Sequence, residues 1–137
     1  MLPHNHFAIA GLAIIPAAYA LHPESAIQNI GTWVLVGGIA SAAIDLDIVT
    51  LVLLRSRKDK SLRLFRNPIE IFRRFPLFMD TITETGVLRT GMKTHFVMAA
   101  IIPLLFLLFA KNYIVPVSVA VLSHILSDIP NMRRLQA

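Results

Sequence analysis

The sequence predicts an all-α fold, an integral membrane bundle of about four transmembrane helices with a basic amphipathic segment on the cytoplasmic side, on three observations. First, 55% of the 137 residues are hydrophobic, 15% are charged and the mean hydropathy is +0.67, which is more apolar surface than one water-soluble core of this length can hide. Second, the apolar residues gather in four runs, 7–21, 27 to about 54, 96–110 and 113–129. Third, residues 55–93 hold ten Lys or Arg against four acids, leaving the remainder of a chain of net charge +5 close to neutral. Ordinary Gly and Pro counts of 6 and 8 exclude collagen, and the apolar fraction excludes disorder. With no cysteine, any metal must be held by His and carboxylates. Residues 1–137 read as a single helical membrane domain with 55–93 as its basic loop, without internal repeats.

A span needs about 20 apolar residues, with a lower limit near 17, so the first and third runs cross only with help from flanking residues. The first run also has the length of a signal-peptide core, and Ala18-Tyr19-Ala20 has a small-x-small cleavage pattern. The basic start of such a peptide is missing, which argues for retention; cleavage would remove His4 and His6. In the second run Gly37 with Ser41, and Gly38 with Ala42, stand four apart and let another helix approach closely. Pro16, Pro103 and Pro116 predict kinks, which neighbouring spans tolerate.

By the positive-inside rule, 55–93 is cytoplasmic, while the linker 22–26 and the Lys111-Asn112 turn lie outside. Arg133 and Arg134 put the C-terminus inside, and four spans then put both termini in the cytoplasm of a multi-pass cell-membrane protein. Phe65, Ile69, Phe72 and Phe75 recur at helical spacing among arginines. They read equally as an amphipathic helix on anionic lipid headgroups of the inner leaflet or as a basic linker packing its phenylalanines on the bundle. Nucleic acid would suit the charge, but no reading motif supports it.

Six polar residues stand at or near apolar runs: His6, Asp45, Asp47, His95, His124 and Asp128. Placed on this topology, all six fall at cytoplasmic helix ends, as if building one site. An aspartate at a membrane-helix centre costs about 2.5–3.5 kcal/mol on insertion scales, so these acids demand partners. A divalent cation shared with imidazoles would satisfy them, zinc or manganese/iron being the metals that suit such donors. His124 and Asp128, four apart, share a helix face. Asp45 and Asp47 are about 200° apart on a regular helix, so either the backbone breaks there or one aspartate serves elsewhere. The plain alternative for His124 and Asp128 is a helix-end hydrogen-bond pair before Pro130, and His4 and His22 read as interfacial residues. Ser41, Ser123, Ser127 and Thr94 read as hydroxyls bonded to carbonyls or to other helices, since no serine triad can be assembled.

Four elements in order resemble the family of membrane-bound metal-dependent hydrolases that includes the LexA-binding inner-membrane protein. They are Asn5-His6 with Gly11, Gly38 through Asp45-Leu46-Asp47, Thr94-His95 preceded by 89–93, and Ser123-His124 through Asp128. Ile44, Ile48 and Phe96 stand where that family has Pro, His and Ser, and the Arg-Gly spacing differs. The resemblance implies a membrane-bound hydrolase. On this reading His6, His95, His124 and Asp128 are metal ligands, one of Asp45 and Asp47 completes the set, and the other orients a ligand or takes a proton from water. Arg89 and Lys93 are the nearest candidates to hold an anionic phosphoester or lipid headgroup. Two other classes fit less of the pattern: a haem-binding or cation-transport protein using the same cluster, and a non-catalytic anchor that binds a partner through its basic segment.

Overall fold

The computed structural model describes residues 3–21 and 23–135. Among these there are eight α-helices and no strand. The long helices are α1 (Pro3–Leu21), α2 (Pro23–Ile44), α6 (Val87–Phe109) and α7 (Ile114–Ser127). Shorter ones are α3 (Leu46–Arg55), α4 (Pro68–Arg73), α5 (Phe75–Glu84) and α8 (Ile129–Arg134), with 3₁₀ turns at Ser61–Arg66 and Lys111–Tyr113. Three stretches are long and apolar enough to cross a membrane: Asn29–Arg55, Val87–Phe109 and Lys111–Arg133. The 19-residue α1, where a further span was expected, opens on His4, Asn5 and His6. Of the expected linker 22–26, His22 lies outside the described residues, and Pro23 onward is already the first turn of α2.

The α1, α2 and α7 helices pack on one another, with α6 lying against α7 and α3. Small residues allow this approach, as the spacing of Gly37 and Ser41 implies. A Cβ on Gly37 would stand 2.4 Å from Ile14 Cδ1, 2.9 Å from the Pro116 carbonyl oxygen and 3.3 Å from Ala120 Cβ. Backbone of α7 therefore lies where a side chain would go. Around this contact Ala10, Ile14 and Ala120 are buried, and Ala40, Ile44, Val117 and Val121 continue the seam toward α6. Pro16 and Pro103 lie inside α1 and α6 as expected. Pro116 instead falls in the first turn of α7, where its missing N–H interrupts no helical bond, so no kink is required there.

The basic segment folds as a cap with its own core, and the single amphipathic helix that the phenylalanine spacing suggested is not formed. Pro68 holds Asn67 extended at φ −86°, ψ 114°, and Asn67 Oδ1 accepts from the Ile69 N–H to cap α4. Pro76 lies in the first turn of α5, which starts after Arg74 leaves the helical region at φ −125°, ψ 40°, without a side-chain cap. The helical register is therefore cut twice. Phe65, Ile71, Phe78, Met79, Ile82 and Leu88 are buried together against Val52 of α3, while Ile69 and Phe72 face outward. Arg55 donates to the Thr85 carbonyl at 3.1 Å and to Thr90 Oγ1 at 3.0 Å, and Arg66 donates to Ser56 Oγ at 2.7 Å, so two of the cationic side chains fasten the cap. Gly86, at φ +69°, makes the turn into α6 that other residues rarely adopt.

Gly37→Val will force the Pro116 carbonyl and Ile14 apart, an overpacking that costs about 1–3 kcal/mol. Thermal unfolding in detergent, followed by circular dichroism, will show a lower midpoint than the parent. Gly31→Ala, at a position where a Cβ meets nothing within 4 Å, will leave the midpoint in place.

Candidate metal centre

Each of the six polar residues owes its position to a helix terminus or to one buried helix face. His6 lies in the first turn of α1, and His95 lies on α6 on the same buried face as Met92 and Ala99. His124 is in the last turn of α7, and Asp128 is the residue on which α7 ends. Asp45 occupies the single-residue break between α2 and α3, where its N–H bonds to the Ala42 carbonyl three residues back. That tightened turn resolves the 200° problem: Asp45 faces the cluster and Asp47 reaches His95 from outside it.

The Nε2 atoms of three histidines converge on two carboxylates. His6 Nε2 lies 3.8 Å from Asp45 Oδ2 and 3.5 Å from Asp128 Oδ1. His95 Nε2 lies 3.4 Å from Asp45 Oδ1 and 3.5 Å from Asp128 Oδ2. His124 Nε2 lies 3.8 Å from Asp45 Oδ1 and 3.4 Å from Asp128 Oδ2. The five residues are between 0% and 8% exposed, and none of the three Nε2 atoms has a hydrogen-bond partner.

The Nδ1 atoms are all engaged. His95 Nδ1 is 2.7 Å from Asp47 Oδ2, a carboxylate oxygen that also accepts from the Thr94 hydroxyl. His6 Nδ1 is 2.9 Å from Ser127 Oγ, whose own proton goes to the His124 carbonyl at 2.8 Å. His124 Nδ1 is 3.4 Å from Ser41 Oγ, which donates to the His6 carbonyl at 3.5 Å. The Ser127 and Ser41 hydroxyls donate to carbonyls, so His6 and His124 donate to them from Nδ1, and the Asp47 carboxylate, an acceptor only, takes the Nδ1 proton of His95. A neutral ring so held turns its Nε2 acceptor toward the two carboxylates. Asn131 Nδ2 donates to Asp128 Oδ1 at 2.7 Å and steadies that carboxylate.

Separations of 3.4–3.8 Å exceed ordinary N–H···O lengths of about 2.7–3.2 Å. The four at 3.4–3.5 Å match another geometry, and the two between Asp45 and the His6 and His124 rings, at 3.8 Å, lie just beyond it. Donors about 2.0–2.2 Å from a common ion and at tetrahedral angles stand about 3.3–3.6 Å apart. A buried group of His6, Asp45, His124 and Asp128, with one donor atom from each within 4.8 Å of all the others, could therefore hold a metal ion. His95 adds a third imidazole on the same two carboxylates. The His6 and His124 rings stack at 3.9 Å between centroids, which leaves no gap for a macrocycle between them.

A cavity of about 80 Å³ opens beside the cluster, several times the volume of roughly 10–15 Å³ that one water needs. Asp45, Asp128 and Asn131 form its polar end, and the other ten lining residues are apolar, from α3, α4, α5 and α6. Arg89 and Lys93, expected to hold an anionic substrate, are exposed and do not line it. They stand six and two residues before His95, hence about 240° and 200° around α6 from its buried face. His4 stacks on Phe72 at 6.0 Å between ring centroids and, among the described residues, has no contact with the cluster's carboxylates. The roles of Ser41, Ser127 and Asn131 as orienting partners were not anticipated. Their only signal was placement within four residues of a candidate ligand on a helix.

No protein family, curated protein or solved structure matches the chain.

Removing a partner that orients a metal-binding imidazole typically weakens metal affinity about 10–100-fold. If the cluster holds a divalent ion, Asp47→Ala will show a loss of that size in chelator competition for it. Ser123→Ala, which removes a hydroxyl bonded to the Ala120 carbonyl, will not.

Proposed function

We propose that this protein is a membrane-bound metal-dependent hydrolase, with His6, Asp45, His95, His124 and Asp128 holding a divalent cation at the cytoplasmic membrane face. The single observation that carries the reading is the set of three buried imidazoles, each tied at Nδ1 and unpartnered at Nε2, around two carboxylates. Leaving such groups unsatisfied costs about 1–3 kcal/mol each, so their joint orientation calls for a ligand. Mixed imidazole and carboxylate donors favour zinc, manganese or iron over calcium or magnesium, which prefer all-oxygen surroundings.

Such an ion would supply Lewis acidity, lowering the pKa of water toward 7 and polarising a carbonyl or phosphoryl oxygen. The chain's own residues do the rest. Asp45 Oδ2 is buried, has no hydrogen-bond partner and belongs to a residue lining the cavity, which suits it to accept the proton of an attacking water. The water oxygen bonds to the carbonyl carbon or phosphorus, the ester C–O or P–O bond breaks, and the proton returns to the leaving oxygen. Asp47 acts at one remove, by fixing the tautomer and orientation of His95.

The membrane placement rests on three apolar stretches and on the charge of the cap. On this reading α1 is the fourth span, both termini and the 55–93 cap are cytoplasmic, and exposed cap cations meet anionic headgroups. Haem binding is disfavoured by the ring stacking described above. A cation path is disfavoured because, among the described residues, the charged cluster occupies one end of the bundle. A partner-binding anchor would not need the oriented imidazoles.

Elemental analysis of natively purified protein should find stoichiometric divalent metal, and His124→Ala should lose it; metal at background in the parent would remove the basis of the proposal. The cysteine-free sequence also allows a clean topology test. Lys58→Cys should react with an impermeant maleimide in inside-out vesicles and stay unlabelled in intact cells.

A further inference from the structure

The cavity beside the cluster combines two chemistries that an ordinary water-filled active site does not. Its buried end carries Asp45, a carboxylate 8% exposed whose Oδ2 has no hydrogen-bond partner. The remainder is hydrocarbon and aromatic, from Val49 of α3 through Phe75, Met79 and Ile82 of α5 to Leu88 of α6. Phe72, half exposed and part of the same lining, stands on a helix of the basic cap that also turns Ile69 outward. A polar substrate alone would leave this wall unused, and a purely apolar one would bring no bond to the residue proposed to activate water.

From this we infer that the cavity binds the head-proximal end of one hydrocarbon chain of a lipid drawn from the surrounding bilayer, with the ester or phosphoester group at the head of that chain against Asp45. The inference rests on the hydrolase reading and names its substrate class. A lipid tail gains little by leaving one hydrocarbon environment for another, so selection comes from fit and from the polar group at the chain's end. The bond presented to the cluster is the one next to the chain. In a monoacyl glycerolipid that is the carboxylic ester; in an alkyl or prenyl phosphate it is the phosphoester. The volume of about 80 Å³ admits only the part of one chain next to its polar group, and the rest of the chain lies outside, past the half-exposed Phe72.

The test uses full-length, zinc-loaded protein in lipid nanodiscs and a monoacylglycerophosphocholine carrying a diazirine in its acyl chain. After irradiation, peptide mass spectrometry should place the adducts on Ile48–Val49 and on the 75–82 stretch of α5, and excess unlabelled monoacyl lipid should remove them. The outer apolar face of α6, where Leu104, Leu108 and Phe109 are exposed, reports simple contact with the bilayer. Val49→Trp should lower cavity labelling at least tenfold while metal content and labelling of α6 stay unchanged. Adducts confined to the α6 face, or cavity adducts insensitive to competitor, would overturn the chain site, and this wild-type result stands whether or not the Trp variant folds. Metal-replete protein without cavity adducts defeats only this inference, whereas cavity adducts on protein that cannot retain metal defeat the metal-centre reading instead. Product analysis separates the two sources of the scissile bond: fatty acid release marks the carboxylic ester, while phosphate release from a matched alkyl phosphate marks the phosphoester.

Discussion

Three buried imidazole Nε2 atoms facing the same two carboxylates, none of them hydrogen-bonded within the protein, form the constraint to which the other features answer. Helix ends put them there. His6 comes from the beginning of α1, Asp45 from the break after α2, and His124 with Asp128 from the end of α7. A helix crossing a bundle brings its ends near the ends of its neighbours, so such residues collect in one place, and His95 joins them from the buried face of α6. The close packing of α1, α2 and α7 through Gly37 then fixes the separation of the donors. Looser helices would spread them beyond the reach of one ion.

The orienting bonds are built from the same helices. Ser127 lies three residues after His124, bonds its carbonyl and receives His6; Ser41 lies four residues before Asp45 and receives His124. Each serine thus ties one helix's backbone to another helix's imidazole. The cluster and the helix packing reinforce each other through these bonds, since displacing one helix releases a hydroxyl, an imidazole and a ligand position together.

Much of this was legible in the sequence because it followed from charge cost and helical spacing. Acids and histidines at the ends of apolar runs are expensive unless they meet, and the clustering of His6, Asp45, His95, His124 and Asp128 answers that cost. The angular conflict between Asp45 and Asp47 left two outcomes open, a backbone break or an aspartate that serves elsewhere; the helix breaks at Asp45, and Asp47 meets the Nδ1 side of His95. What periodicity could not resolve was the 55–93 segment. There the spacing of Phe65, Ile69, Phe72 and Phe75 fits a helix, but Pro68 and Pro76 divide it into pieces whose phases are set by tertiary contacts. Arg89 and Lys93 were chosen for nearness to His95 in sequence, which is not nearness on the helix face, and they lie outside the cavity lining. The serine partners were hidden because hydroxyls on apolar helices are common and their targets lie up to 121 residues away.

The apolar cavity gives the cap a purpose beyond charge. Phe75, Phe78, Met79 and Ile82 both complete the core against α3 and line a passage ending at Asp45 and Asp128. A polar centre reached through hydrocarbon is kept from bulk water, which strengthens every electrostatic interaction within it. The central claim, that three imidazoles and carboxylates share one cation, is tested most directly by X-ray absorption spectroscopy of the zinc-loaded protein. The account predicts a mixed nitrogen and oxygen shell at about 2.0–2.2 Å with outer-shell scattering from several imidazole rings. An oxygen-only shell without imidazole scattering would contradict it.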